Sequence, residues 1–283
     1  MFFGDRMNQK TSTRFSFDGS AFAVFLVVLV IASLWLFTQR QWWLPQVASI
    51  HGVDIDRVFL ITLAITGGLF VLLQGIVAYI AFRYGRKRSE RAKYWIRPRL
   101  EKWFAVVAGI IIFGVDIIIF VLGESQWFKA WGAPPEEASI VEVTGEQFMW
   151  NFRYPGPDGA FGKTEPMLVS IENPLGIDKA DAAGKDDILS INQLHLPEGK
   201  PVRLRIRAKD VIHSLYLPHQ RVKQDAVPGM QIEFWFVPRG TGQFEIACSQ
   251  LCGLGHYRMR AFLTVETQEE FIKWLAESAQ GGN

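Results

Sequence analysis

The strongest constraint on this chain is a set of three long apolar runs in its first half, at residues 21–37, 58–82 and 104–122. A helix of about 20 apolar residues can cross a bilayer with its backbone polar groups paired internally. The second and third runs therefore predict transmembrane helices. The first run is shorter and follows several basic residues, so it also fits a signal peptide. Because Trp42 and Trp43 follow it rather than small residues, we predict that this helix is retained, with cleavage as the alternative.

The distribution of charge predicts the orientation of these helices. From Arg83 to Lys102 the chain has nine basic and two acidic residues, a net charge of +7. Basic loops remain on the cytoplasmic side of a membrane, so the later part of the chain should lie outside the cytoplasm. That part, residues 124–283, has 16 basic and 21 acidic residues, a net charge of −5. An acidic exported domain favours a basic protein partner and gives no indication of nucleic-acid binding.

The predicted fold class is an α+β membrane protein, with N-terminal transmembrane helices before an antiparallel β-domain. The later segments are short, alternate in polarity and are separated by glycine and proline turns, which is typical of a β-sandwich or barrel. Near the end, Thr267 and Glu270 have the spacing of a helix capping box. The predicted order is an N-terminal extension, a helical hairpin, a linker, an exported domain and a C-terminal helix with its tail, at residues 1–56, 57–123, 124–139, 140–266 and 267–283.

The only two cysteines of the chain lie in one short stretch, Cys-Ser-Gln-Leu-Cys-Gly-Leu-Gly-His-Tyr-Arg-Met at residues 248–259. Cys248, Cys252 and His256 are spaced so that a helix would place them on one face. The glycines of the stretch disfavour a helix and suit a loop that bends tightly. Strand-like segments flank the stretch on both sides, so we predict a loop between two strands.

The side chains of this stretch form a soft set of metal donors, which favours copper. A mononuclear blue copper site needs one cysteine and two histidines, so a second cysteine is surplus to it. Two thiolates can instead bridge two copper ions, provided that another histidine completes the second ion. His213 is the strongest candidate because it follows a strand-like run at residues 202–207. For an isolated pair of cysteines in an exported domain, the alternative is a disulfide.

Three motifs together carry a resemblance to a known family. The stretch at 248–259, Asp-Val-Ile-His-Ser at 210–214 and Val-Lys-Gln-Asp-Ala-Val-Pro-Gly at 222–229 resemble the dinuclear copper centre of cytochrome c oxidase subunit II. The resemblance implies that the exported domain is a cupredoxin-like Greek-key barrel. It also implies that this domain holds two copper ions, and that haem is found only in a partner subunit.

The resemblance implies a specific set of copper ligands. The two cysteines would bridge the ions as thiolates. One ion would also bind His256 and the backbone carbonyl of Gln250, and the other would bind His213 and Met259. Most relatives have a glutamate in place of Gln250, and its carboxylate reaches a magnesium ion. A neutral amide is a poor ligand for this hard cation, which argues against a magnesium site in this chain.

The resemblance also implies that an aromatic residue takes up the electrons. The family has a Gln-Trp-x-Trp pattern, and its first Trp is implied to receive the electron from cytochrome c. In this chain the first aromatic position is Phe148 and the second is Trp150. This departure from the family pattern leaves Phe148 and Trp150 as the two candidates for electron entry.

The membrane half also resembles this subunit, in Leu-Leu-Gln-Gly-Ile-Val-Ala-Tyr-Ile-Ala-Phe-Arg-Tyr at residues 72–84. The usual subunit has two helices, so the helix at 21–37 is an addition. Glu101 matches a glutamate that feeds a proton path into the catalytic subunit of many relatives, and a solvated carboxylate is the alternative interpretation. Asp116 lies within an apolar run, where a charge is costly, and we interpret it as packed against another subunit.

The function implied by the resemblance is electron acceptance in a respiratory haem-copper oxidase. The donor would be a cytochrome c type protein or a quinol-oxidising complex that carries haem c. Electrons would pass to haem in subunit I, which reduces oxygen to water and translocates protons, and subunit III would be a further partner. The chain would be integral to the bacterial inner membrane and in contact with its lipid, with the copper domain on the extracytoplasmic side.

Two alternative functions have different consequences. The chain could be the electron-accepting subunit of a nitric oxide reductase that has the same copper domain, and the gas that the complex consumes distinguishes this from an oxidase. It could also be a non-enzymatic protein that binds copper for assembly. Missing ligands would favour that second alternative, whereas all five ligand side chains are present.

Overall fold

The computed structural model describes residues 19–40, 43–85 and 97–281. Four α-helices lie in these ranges: α1 (Gly19–Thr38), α2 (Ile50–Tyr84), α3 (Pro98–Trp131) and α4 (Gln268–Gly281). The first three are long and apolar enough to cross a membrane. They contain the three apolar runs of the sequence. Most of the basic residues that predict the orientation lie outside the described residues.

Two helices are longer than the apolar runs that predicted them. Helix α2 begins at Ile50, and α3 continues to Trp131 although the sequence predicts a linker at residues 124–139. The reason is local, because no glycine or proline interrupts residues 124–131 and the helix ends where Gly132 follows. The connection to the sandwich is therefore shorter than predicted.

The described chain forms two compact units, and the first of them is helical. It contains α1, the part of α2 from Thr62 onward and the part of α3 through Val107. Within this unit, Ala23 and Leu26 of α1 are buried against Ala78 of α2. Small side chains permit such close packing of helices in a membrane. Most other apolar side chains of α1 are exposed, as expected for a surface that faces lipid.

The second unit contains residues 44–61 and the chain from Ala108 onward, and its main body is a β-sandwich. The strands within the described residues are β1 (Ser139–Glu146), β2 (Met149–Tyr154), β3 (Ile188–Ile191), β4 (Gln193–Pro197), β5 (Val202–Ala208), β6 (His213–Leu217), β7 (Val222–Ala226), β8 (Ile232–Phe236), β9 (Gly242–Cys248) and β10 (Arg260–Glu266). One sheet has the order β3-β2-β1-β5-β8, and the other has the order β4-β10-β9-β6-β7.

Most neighbouring strands of the sandwich are antiparallel, in agreement with the prediction. Two pairs are parallel, β1 with β5 and β4 with β10. A short hairpin can join antiparallel strands, whereas these two pairs bring together strands that are distant in the sequence. The polarity pattern of single strands could not reveal such pairs. The fold class itself, apolar helices followed by a β-sandwich or barrel domain, is confirmed.

Alternating side chains build the core between the two sheets. In β5, Val202, Leu204 and Ile206 are buried, while Arg203 and Arg205 between them are partly exposed. Successive side chains of a strand point to opposite faces, so this pattern turns one face of β5 toward the core. The packed core fixes the strand ends that carry the site residues described below.

Helix α4 begins with the predicted capping box. The backbone N–H of Thr267 donates to Oε2 of Glu270 at 3.0 Å, and the N–H of Glu270 donates to Oγ1 of Thr267 at 3.3 Å. These reciprocal bonds satisfy backbone donors that have no partner within the helix. On the inner side of α4, Trp274 stacks on His195 with the ring centroids 4.0 Å apart. The helix is thereby held against the sandwich.

The segment at residues 44–61, which ends in the first turns of α2, also packs against the sandwich, although the sequence places most of it in an N-terminal extension. The backbone N–H of Ala48 donates to the carbonyl of His219 at 2.7 Å. Arg221, whose side chain is 8% exposed, pairs with Asp56 at 2.8 Å. His219 and Arg221 lie in the turn between β6 and β7. The segment therefore holds one end of this hairpin, and the first residue of β6 lies at the other end.

Candidate metal centre

The two cysteines lie together at one end of the sandwich. Cys248 ends β9, and Cys252 follows in the loop that leads to β10, so the prediction of a loop between two strands is confirmed. Both side chains are buried, and their sulfur atoms are 3.9 Å apart. A disulfide requires about 2.05 Å between the sulfurs. The cysteines are free thiols, and the disulfide alternative does not apply in this structure.

The other donors of the loop surround the two sulfurs. Nδ1 of His256 lies 3.6 Å from the sulfur of Cys252, and the sulfur of Met259 lies 3.7 Å from it. The thiol of Cys248 donates to the backbone carbonyl of Gln250 at 3.2 Å. The backbone N–H of Cys248 also donates to the carbonyl of Met259 at 3.1 Å, which closes the loop at its base. All donors of the loop that the sequence predicts are therefore adjacent.

His213 approaches the same sulfurs from a neighbouring strand. It is the first residue of β6, and β6 pairs with β9 near Cys248. Its ligand atom lies within 4.8 Å of both cysteine sulfurs. Nε2 of this fully buried ring lies 2.8 Å from Oδ1 of Asp210, whereas Nδ1 has no hydrogen-bond partner.

The electrostatic surroundings make the two thiols unequal. Burial alone would raise the pKa of Cys248, but the adjacent ring of His213 and nearby backbone N–H groups outweigh it and lower this pKa to about 6. Burial and the nearby charge of Cys248 raise the pKa of Cys252 to about 11. One thiolate therefore forms readily, and the first negative charge opposes the second. A bound cation would remove that opposition and release the second proton.

The chemistry of the cluster fits copper. Two thiols, two imidazoles and a thioether are soft or borderline donors, which suit copper better than magnesium or calcium. Nδ1 of His213 is buried and has no hydrogen-bond partner among the described residues. Buried polar atoms normally have a partner, so an orphan among sulfur donors points to a missing metal bond. The sequence-predicted set of His213, Cys248, Cys252, His256 and Met259 is thus assembled in one place.

The two candidate residues for electron uptake lie beside this cluster. Trp150 in β2 is fully buried, and its ring centroid is 6.0 Å from that of His213. Phe148 lies in the turn between β1 and β2 and is partly buried. Its ring lies against Gly253 and Gly255 of the ligand loop, at the places that their Cβ atoms would occupy. Phe148 is therefore the more accessible of the two aromatic residues.

Two polar residues near the cluster have contacts that were not predicted from the sequence. Asp210 binds the ring of His213, and its position three residues earlier in the chain was an available signal. Gln147 donates from its side chain to the carbonyl of Cys252 at 2.6 Å, a contact that no local pattern indicates. Glu101, the predicted proton-path residue, lies in the first turn of α3 and is not a member of this cluster.

Comparison with known proteins gives consistent matches. Residues 139–266 match the family described as cytochrome C oxidase subunit II, periplasmic domain. The chain is 38% identical over 261 residues to the alternative cytochrome c oxidase subunit 2 of Bradyrhizobium diazoefficiens, with 91% of each chain covered. It is 30% identical over 250 residues to cytochrome c oxidase subunit 2 of Cereibacter sphaeroides, with 84% of this chain and 78% of that protein covered.

A solved structure with a similar domain is the periplasmic domain of subunit II of cytochrome oxidase of Bradyrhizobium japonicum. It is 28% identical, covers 53% of this chain and 100% of its own, and has a TM-score of 0.40. The sequence relationship is more extensive, because the match at 38% identity spans 91% of this chain. It must therefore include most of the membrane helices as well as the sandwich. On this relationship and the matched periplasmic domain, the chain belongs to the cytochrome c oxidase subunit II family.

Proposed function

We propose that this chain is the electron-accepting subunit of a respiratory haem-copper oxidase. Electrons would come singly from a cytochrome c type donor, or from a quinol-oxidising complex that carries haem c, and would pass on to haem in subunit I. Subunit I would reduce oxygen to water and translocate protons. The observation that carries the proposal is the convergence of five sulfur and imidazole side chains in one buried cluster. Membership of the subunit II family supports the same function.

The proposed ligand set follows the arrangement of the cluster. Cys248 and Cys252 would bridge two copper ions as thiolates. Nδ1 of His213 and the thioether of Met259 would complete one ion, and His256 with the backbone carbonyl of Gln250 would complete the other. When bound, the copper pair supplies a one-electron redox couple whose charge is shared by both ions.

The contribution of the chain is to hold these donors in fixed positions. Met259 is 1% exposed and Cys252 is 4% exposed, so the packed interior restricts movement of both side chains. The backbone bond from Cys248 to Met259 closes the loop, and Asp210 fixes the ring of His213. A site whose ligands cannot rearrange needs little reorganisation when an electron arrives or leaves.

The outer side of the ligand loop is a proposed contact surface for partner proteins. Leu251, Leu254 and Tyr257 are 77%, 97% and 81% exposed. Exposed apolar side chains that cluster on one loop favour contact with another protein. Gln250 in the same loop presents a neutral amide, so we propose that no magnesium ion is held at this surface.

The membrane half is proposed to anchor the subunit in the bacterial inner membrane, with the β-sandwich on the extracytoplasmic side. Subunit I and subunit III would pack around the helices. Glu101 would lie at the cytoplasmic end of α3 and feed a proton path of subunit I. The net charge of +7 between Arg83 and Lys102 supports this orientation.

The experiment that tests the proposal uses the purified complex with reduced soluble cytochrome c. The parent complex and a Ser249→Ala control should both consume oxygen, because Ser249 supplies no proposed side-chain ligand. Cys252→Ser should abolish the oxygen consumption that depends on cytochrome c. Equal rates in the parent and in Cys252→Ser would contradict the proposal. Consumption of nitric oxide without consumption of oxygen would indicate a nitric oxide reductase instead.

A further inference from the structure

The turn between β1 and β2 is fastened to both ligand-bearing loops by Gln147 and Asp210. The side-chain amide of Gln147 donates to the backbone carbonyl of Cys252 at 2.6 Å. Its backbone N–H donates to Oδ2 of Asp210 at 2.7 Å. Oδ1 of Asp210 lies 2.8 Å from Nε2 of His213. A continuous set of hydrogen bonds therefore connects this turn with a candidate ligand on each side of the cluster.

The same turn carries Phe148, whose ring rests on the ligand loop. A Cβ at Gly253 would lie 3.2 Å from this ring, and a Cβ at Gly255 would overlap it. Gly253 also has a φ of +134°, which side-chain-bearing residues rarely adopt. Both glycines thus permit the ring to lie directly on the backbone that joins Cys252 to His256. The hydrogen bonds of Gln147 hold the ring in this position.

The carboxylate of Asp210 accepts hydrogen bonds from all of its partners at the same time. The backbone N–H of Val211 also donates to Oδ1 at 2.7 Å, so three donors converge on the two carboxylate oxygens. An asparagine has only one acceptor oxygen and would turn its NH₂ group toward one of these donors. Replacement by the amide must therefore break the link to the turn or the link to His213.

We propose that Gln147 and Asp210 are positioning residues for electron uptake, a proposal that rests on the function proposed above. Gln147 holds the Phe148 ring against the ligand loop, so that an electron from a ferrous donor haem passes through a short, fixed contact. The donor haem becomes ferric, and the centre is reduced by one electron. Asp210 holds the turn and the ring of His213 in fixed positions relative to each other. A displacement of the turn would thus slow uptake even where all copper ligands remain.

The role of Gln147 is tested in the whole complex with Gln147→Leu, which removes the donor to Cys252 but keeps the size of the side chain. The matched control is Gln243→Leu, an exposed residue at the end of β9 that is distant from Cys248. Stopped-flow mixing with reduced soluble cytochrome c gives the rate of copper reduction, and amide exchange reports on residues 252–256. Copper content and the electron paramagnetic resonance (EPR) spectrum report on the ligands.

In Gln147→Leu we expect copper content and the EPR spectrum of the parent, faster amide exchange in residues 252–256, and uptake slowed by about tenfold. Gln243→Leu should match the parent in every measurement. Uptake within twofold of the parent rate would overturn the role of Gln147. Loss of copper from Gln147→Leu would also overturn it, because Gln147 would then support the ligands rather than the uptake contact.

The role of Asp210 is tested with Asp210→Asn against Asp158→Asn, an exposed residue of the turn after β2 that loses the same charge. We expect Asp210→Asn to raise the midpoint potential of the centre and to alter its EPR spectrum, because an anionic acceptor strengthens the donor character of His213. Asp158→Asn should leave both unchanged. An unchanged potential and spectrum in Asp210→Asn would overturn this role. If the parent itself lacks the spectrum of a copper pair, the proposed function fails first, so the two failures are distinguishable.

Discussion

The sulfur atoms of Cys248 and Cys252 lie 3.9 Å apart, buried and without a bond between them. This separation is too long for a disulfide and leaves room for metal ions between the thiolates. The two thiols differ in acidity, since the adjacent ring of His213 favours the anion of Cys248 while burial and that anion oppose the ionisation of Cys252. The pair is therefore arranged to bind cations, and its titration gives a direct test.

The first prediction concerns the acidity of Cys248. In Cys252→Ser the chain has a single cysteine, so alkylation of the metal-free chain by iodoacetamide reports on Cys248 alone. Because its pKa is lowered to about 6, the reaction rate should rise with pH around pH 6 and level off above it. For the same variant in denaturant, the alkylation rate should reach half of its maximum at a pH of about 8.5. Identical midpoints in the folded and denatured chain would contradict the prediction.

The second prediction concerns the contact between Phe148 and Gly255. Gly255→Ala should displace the Phe148 ring, because the added Cβ would overlap it, and should destabilise the sandwich by about 1–3 kcal/mol. The backbone at Gly255 has a φ of −91°, which alanine adopts freely, so the cost is one of packing. The double variant Phe148→Ala with Gly255→Ala provides the control. Thermal unfolding should show that Gly255→Ala costs much less in the Phe148→Ala background, and an equal cost in both backgrounds would refute the contact.

The third prediction concerns the attachment of the segment at residues 44–61, through a residue in the first turns of α2. Asp56→Asn leaves Arg221, 8% exposed, without its charged partner and should lower the stability of the sandwich by about 1–2 kcal/mol. The matched control is Asp54→Asn, whose partner Lys129 is 54% exposed, and it should have a much smaller effect. Thermal unfolding of the detergent-solubilised chain, followed by near-ultraviolet circular dichroism, measures both. Equal effects of the two variants would contradict the prediction.

The fourth prediction concerns Asp116 in α3. Its side chain is exposed in the isolated chain, within the apolar run of this helix at residues 104–122. A polar group is costly in lipid, so we expect it to face another subunit. Asp116→Leu should reduce the amount of subunit I that copurifies with this chain, or the turnover of the complex. Phe113→Leu, an exposed apolar position in the same helix, should leave both unchanged. Normal assembly and turnover of Asp116→Leu would refute the prediction.

Residues within one short motif were the easiest to predict. His256 and Met259 follow Cys252 in a loop whose glycines bend it back, so their spacing alone indicated a shared site. His213 required a second motif, because the pairing of β6 with β9 brings it to the cysteines.

Contacts between distant parts of the chain were not predictable from polarity patterns. Asp56 and Arg221 are 165 residues apart in the sequence, and nothing local to either residue indicates their pairing. The parallel pairing of β1 with β5 and the bond from Gln147 to Cys252 are of the same kind. These contacts arise from the packing of the whole domain. The sequence of a single strand or motif therefore does not indicate them.

In the proposed function, two thiolates of this chain hold a pair of copper ions. The most direct measurement combines copper analysis and EPR spectroscopy on the purified full-length chain after loading with copper. We expect two copper ions per chain and the many-line hyperfine pattern of an electron shared between them. One copper ion per chain, with the simpler pattern of a single ion, would contradict this expectation.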